Sequence, residues 1–507
     1  MTSASSKLFR DIVSVEGENR LLLWIGLAGL GTIAAVLLGV PKMFFVLGFA
    51  SVFAVAVTLF VIASILYGRI DFILMGWVLL FPLGYYFLSI PRERSVFTLD
   101  RAVLAACIVA IAFTAREGRP LPVPMRTAAI CWAFFLLAAF TSLHNLDNAL
   151  GGSKEVIDAF VFPALLGYYV WRNFPVGQRL SELHVLGSLM CVYAAAISVA
   201  ELLMGEDLLP LPGAIMFSDD TGVVQRVNGP FATNNSLGLI GLISLFFLIF
   251  LRRAIGTRMP SWQRALHLAG LASALTMAVS PMFRSIVVTL VVVAILEMCW
   301  SNSTKIRLMI AGAVLAGGAG LTFLRFTVPE FFQSRVSDMS DLYARIAQYK
   351  QTWALFRSYP LNGVGLANYA TVADNVPSAY YRGVESVGSA HNTLASILVD
   401  TGLVGFLGYF LAQVFFFRAF WRLHLHGTPQ AKFASRFALY IFLSYWITGM
   451  MLTSGYYSDL NLWYLFAMVV IYKFANTENE CVAMPERAWE PVTAANLESY
   501  SVALHER

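Results

Sequence analysis

Apolar runs of about 20 residues, each nearly free of charge, recur from Leu21 to Phe474, and no water-soluble fold could bury them all. A helix of that length crosses roughly 30 Å of hydrocarbon with its backbone amides paired internally. The chain is therefore read as all-α and polytopic. About fourteen runs qualify, at 21–40, 43–66, 72–90, 98–115, 127–143, 156–172, 183–204, 236–251, 265–281, 284–300, 306–325, 392–417, 434–453 and 460–474. The closeness of the first two leaves the expected bundle at about 12–14 transmembrane spans. Of the 507 residues, 58% are hydrophobic and 13% charged, which agrees with that class.

Basic residues set the expected orientation. The loop holding Arg252, Arg253, Arg258 and Arg264 has no acid, and neither does the one holding Arg418, Arg422, Lys432 and Arg436. "REGRPLPVPMR" and "RNFPVGQR" lean the same way. All four fall on one side, which the positive-inside bias makes cytoplasmic, together with both termini. "PRERSVFTLDR" runs against the bias, with three arginines on the expected outside. The net charge of +5 is spread over short loops, a pattern of membrane orientation and not of nucleic-acid binding. The five cysteines form no CxxC or Cys/His spacing, so neither a metal nor a disulfide framework is expected. The polar start lacks an A-x-A cleavage site, and Leu21 onward is read as a retained helix.

The expected organisation is a cytoplasmic segment 1–20, helices with short loops over 21–325, a large external loop 326–391, helices over 392–474 and a cytoplasmic polar tail 475–507. A smaller external loop lies near 205–235 and holds Glu206, Asp207, Asp219 and Asp220 but a single basic residue, Arg226. Within the large loop, Leu342, Ile346, Tyr349, Trp353 and Phe356 recur at helical spacing behind the capping candidates Ser337 and Asp338. This predicts an amphipathic helix on the membrane surface. Tyr359-Pro360 ends it, "NGVG" turns the chain, and His391 marks the return to the membrane.

Only His144 and His391 of the seven histidines fall outside, beside Arg226, Arg284 and Arg345. Guanidinium groups match diphosphate oxygens bidentately, and a neutral imidazole can take a proton from a hydroxyl. Together they describe a phosphate-binding, acceptor-activating site where no nucleotide sugar is at hand, so the fitting donor is a glycan on a lipid diphosphate. Each residue also has a plainer reading. An arginine at a helix end is commonly a snorkelling anchor, and a histidine or Asn392 at a helix start commonly a cap. Asp400, within a span, is a functional candidate by default or a residue of a wet, broken turn beside two glycines. Asp219-Asp220 reads most simply as solvated loop carboxylates, and no D-x-D motif occurs.

The run from Arg345 to Gly405, with "YPLNGVGLANY" and then "AHNTLASILVDTGLVGFLG", resembles the signature region of the O-antigen ligase and polysaccharide polymerase superfamily. Upstream, "RVNGPFATNNSLG" is similar to that family's arginine-glycine-asparagine motif. The resemblance covers about a third of the chain directly. It implies a helical membrane protein that transfers an assembled glycan from undecaprenyl diphosphate to a hydroxyl acceptor, either a glycan or a lipid A-core. The implied place is the periplasmic side of a bacterial inner membrane, without metal or cofactor. By motif, it implies that His391 activates the acceptor, that Arg226 and Arg345 hold the diphosphate, and that Asn392 and Asn235 support them. The family's serine-arginine pair has only "SPMFRS" as a match, which makes Arg284 a third phosphate candidate. Lys154 in "GGSKE" stands in for an expected external lysine. Two other functions compete: a transporter or flippase, which would place ionisable pairs near mid-membrane or show inverted repeats, and a protein O-oligosaccharyltransferase. Few mid-span charges and no evident repeat favour the enzyme.

Overall fold

The computed structural model describes residues 70–83, 98–114, 120–145, 149–205, 208, 227–231, 233–256, 259–301, 303, 304–327, 340–366, 368–373, 376–386, 392–451 and 456–483. The first two apolar runs and the capping candidates Ser337 and Asp338 lie outside them. The described residues are almost wholly helical. In chain order, α1 is Ile70–Leu80, α2 Leu99–Thr114, α3 Val123–Ser142, α4 Ala149–Val156, α5 Phe162–Arg172, α6 Val176–Met204 and α7 Asn234–Ile255. Next come α8 Ser261–Val279, α9 Arg284–Trp300, α10 Thr304–Thr327, α11 Ser340–Ser358 and α12 Tyr369–Ala373. A two-stranded hairpin, β1 Tyr380–Tyr381 and β2 Val384–Glu385, precedes α13 Thr393–His426, α14 Pro429–Ser444 and α15 Ser458–Ala483. Short π-helical segments, Ile157–Val161 and Tyr445–Met451, join α4 to α5 and extend α14.

Four helices, α3, α6, α7 and α13, are long and apolar enough by length and composition to cross a membrane. The protein is a multi-pass, all-α membrane protein. Phe134, Leu137, Val287, Ile295, Met309 and Leu315 point outward from α3, α9 and α10, as a lipid surroundings allows. Inside, an aromatic core joins Trp77 and Phe81 to Trp463 and Phe466, with Phe81 stacked on Trp463 at 5.2 Å. Small residues bring the helices close. A Cβ on Gly408 would meet the Phe135 backbone nitrogen at 2.8 Å, where α13 crosses α3, and one on Gly241 would meet the Ala278 nitrogen at 2.7 Å, where α7 crosses α8. Because lipid tails offer helices no hydrophobic drive to associate, such close backbone packing carries much of the cohesion.

Several expectations have direct counterparts. Helix α11 ends at Ser358, just before Tyr359-Pro360, and "NGVG" is a turn with Gly363 and Gly365 both at positive φ. Helix α11 buries a largely polar face. Ala347, Gln348, Gln351, Thr352 and Leu355 are buried, while Leu342, Tyr349 and Trp353 stay exposed. The partner explains the choice: the Thr352 hydroxyl meets that of Tyr369 at 2.8 Å, and Gln351 donates to the Ala373 carbonyl at 3.2 Å. The apolar row is left to face outward. Arg101, one of the arginines that ran against the charge bias, forms an ion pair with Asp158, its Nε donating to Oδ1 at 2.9 Å. Helix α15 continues past the apolar run ending at 474, to Ala483.

Candidate functional site

The site grows from the start of α13. The Asn392 side-chain oxygen accepts from the Ala395 amide at 3.0 Å and so caps the helix, meeting an amide that has no partner in the first turn. The same side chain extends its Nδ2 to the Tyr349 hydroxyl of α11, a long contact of 3.5 Å. Arg345 lies one helical turn before Tyr349, on the same side of α11. Helix α11 and the head of α13 are thus tied together at the residue that follows His391.

Three more helix starts gather at this end. Buried Thr393 donates its hydroxyl to the Gly449 carbonyl at 3.2 Å, in the π-helical segment after α14. The neighbouring Thr448 donates to the Ser285 carbonyl at 3.3 Å, next to Arg284 at the first position of α9. A Cβ on Gly238 in the first turn of α7 would meet Ile286 at 2.8 Å, so α7 begins against α9. Thr233 caps α7, Asn235 donates to the Tyr457 hydroxyl at 2.8 Å, and the Ser236 hydroxyl donates to Asp459 at 2.9 Å. Tyr456 closes the ring by donating to Asp400 at 2.6 Å. The starts of α7, α9, α13 and α15 thus lie at one end of the bundle, and first-turn amides of α7, α13 and α15 are met by the side chains of Thr233, Asn392 and Asp459.

A cavity of about 10 Å³, room for roughly one water, opens among these residues, lined by Thr393, Tyr409, Tyr445, Tyr456, Tyr457 and Asn461. Its polar wall is a connected network. Tyr445 donates to Asn461 at 2.7 Å, and Asn461 donates at 2.8 Å to the Ala159 carbonyl of the first π-helical segment. Such widened turns release backbone carbonyls from the helical ladder and recur at functional sites.

The glycines of the two long motifs hold α11 to α13. Gly402, at φ 65° and ψ −172°, breaks α13, and the turn after α11 docks into the break. Val364 and Gly365 donate to the carbonyls of Val399 and Asp400, each at 2.9 Å, and Leu403 donates to the Pro360 carbonyl at 2.9 Å. Asp400 therefore lies in a broken, internally bonded turn and is 1% exposed.

The described residues thus bring Arg284, Asn235, Asn392 and Asp400 to one end of the bundle, with Arg345 a turn away on α11. Arg226 and His391 lie outside the described residues. Their neighbours are fixed: Val227 and Asn228 are buried, and the Gly229 amide donates to the buried Glu201 carboxylate at 2.7 Å. Lys154 is exposed on α4, beside Glu155. Burial above all, and then Asp158, push the Glu155 carboxyl above its ordinary range, with Lys154 pulling the other way. His144 is exposed, its Nδ1 against the Thr141 carbonyl. Among the described residues, no group of three or more His, Cys, Asp or Glu could hold a metal ion. Sequence reading missed Tyr349, Tyr456, Tyr457 and Asp459. The adjacent tyrosines and the aspartate in "GYYSDL", at the mouth of the last apolar run, were the available signal.

Residues 227–410 match the family described as O-antigen ligase. The chain is also similar to the exopolysaccharide production protein ExoQ of Rhizobium meliloti (strain 1021), 24% identical over 245 residues, 46% of this chain and 53% of that protein. It spans about half the length of the relative it matches.

Proposed function

We propose that the chain transfers an assembled glycan from undecaprenyl diphosphate to a hydroxyl acceptor on the periplasmic side of a bacterial inner membrane, as a polymerase or a ligase. The observation that carries this reading is the gathering of the starts of α7, α9, α13 and α15 at one end, with α11 tied to Asn392. Arg226, Arg284 and Arg345 hold the diphosphate, supplementing the helix starts with always-charged donors. His391 accepts the acceptor's proton as its oxygen attacks the anomeric carbon. The bond from that carbon to the diphosphate oxygen breaks, its electron pair leaves with undecaprenyl diphosphate, and the configuration inverts. Asn392 fixes the start of α13 and so the placing of His391, Asn235 supports through Tyr457, and Asp400 steadies the broken turn through Tyr456. Lys154 serves as an accessory cation for the donor.

Arg345→Ala and Arg226→Ala should each weaken donor use by about 2–5 kcal/mol, the usual loss when one member of a desolvated charge pair is removed. Donor binding to protein in nanodiscs measures this, and wild-type affinity in both variants would remove the phosphate roles. Deletion of the gene followed by sizing of surface and lipid-linked glycans separates the two acceptor classes. Single units still attached at the surface mean a polymerase, and long chains stranded on their carrier mean a ligase.

A further inference from the structure

We propose that the hairpin Tyr380–Glu385 and the adjoining side of α11 form a binding track for an acidic glycan strand, an extension of the proposed transfer site and resting on that reading. The hairpin is unusual in its turn. Arg382 and Gly383 both have positive φ, 50° and 82°, which makes a two-residue type I′ connection. Asn or Gly normally takes the first of these positions because a bulkier side chain is strained there. The strain has a visible counterpart: the Arg382 guanidinium donates to the Tyr343 hydroxyl at 2.7 Å and lies over the rings of Tyr343 and Tyr381, 5.0 and 5.8 Å from their centres. Lys350 sits 5.0 Å over the other partner, Tyr381, and Arg357 lies 5.5 Å over Trp353.

Tyr343, Lys350, Trp353 and Arg357 recur along one side of α11, so ring–cation pairs span roughly 20 Å at 1.5 Å per residue. Tyr380 and Trp353 are 57% and 51% exposed, which leaves ring area open to a ligand. Open tyrosine and tryptophan rings suit the apolar faces of sugar rings, and the flanking donors suit their oxygens. Among the described residues, three cations against Glu385, whose carboxylate already accepts from the Ser378 and Tyr380 hydroxyls, give the track a positive balance and select sugars that carry carboxylates. Length favours a strand over a single sugar. The track runs along the helix that carries Tyr349, whose hydroxyl meets Asn392 at the head of α13.

The test uses the full chain in zwitterionic nanodiscs, titrated with hexagalacturonate and, in parallel, neutral maltohexaose. The acidic oligomer should bind and the neutral one bind more weakly. Arg382→Asn keeps a residue that the turn accepts, so it should leave the hairpin folded and weaken hexagalacturonate roughly tenfold, with Tyr343→Ala doing the same. Affinity unchanged in both variants, or no preference for the acidic oligomer, overturns the track. So does a defect in which both variants lose affinity only for anionic-lipid nanodiscs, which would make this face a bilayer contact. His391→Ala should keep hexagalacturonate binding while losing transfer. Oligomer binding by a wild-type protein that transfers no glycan would sink the enzymatic reading and leave the track standing.

Discussion

Replacing His391 with alanine should abolish glycan transfer while the protein accumulates to its normal level. General-base catalysis is worth about 10²–10⁴ in rate, and without a base the acceptor hydroxyl must lose its proton to water. The residue next in sequence, Asn392, caps α13 through its own side chain, so removing the imidazole leaves the helix start intact. Turnover of a lipid-linked donor in nanodiscs, with protein level read by immunoblot, measures this. Retained activity in the variant would remove His391 as the base.

The second large effect concerns folding. Gly402→Ala should destabilise the protein and cost activity through the same lesion. A Cβ there would lie 2.1 Å from the Leu361 carbonyl oxygen and 2.6 Å from the Asn362 nitrogen, both backbone atoms of the docked turn. Its dihedral pair is one that glycine alone adopts readily, and the strain by itself costs about 1–3 kcal/mol. The turn must also move out of the break in α13, taking α11 and Arg345 with it. Gly383→Ala supplies the control, since it shares a positive φ but a Cβ there meets nothing within 4 Å. Thermal unfolding in detergent should place Gly402→Ala well below Gly383→Ala. Equal stability of the two would mean that the turn is not held as described.

Local chemistry made much of this legible in the sequence. Pro360 announced the end of α11, glycines announced the turn at Gly363 and Gly365, and Asp400 beside two glycines announced a break within a membrane helix. These features depend on a few neighbouring residues, and so does the length of an apolar run. The site's internal bonds do not. Asn235 meets Tyr457 and Ser236 meets Asp459 across more than 200 residues of chain, and no spacing rule links such partners. The inward bonds of α11 were hidden for a related reason. Hydrophobic periodicity marks the apolar row but not the partners of Gln351 and Thr352, which turn inward here to bond with Ala373 and Tyr369. The two-residue strands of the hairpin are too short for any alternation to register.

The reading stands on a base and several guanidinium groups meeting one diphosphate at the heads of α7, α9 and α13. A cryo-electron microscopy map of the full chain in nanodiscs with undecaprenyl diphosphate tests that most directly. The phosphate density should lie within hydrogen-bonding reach of Arg226 and Arg345, with the His391 ring facing the same pocket. Phosphates bound at the opposite end of the bundle, or His391 turned away from them, would contradict it.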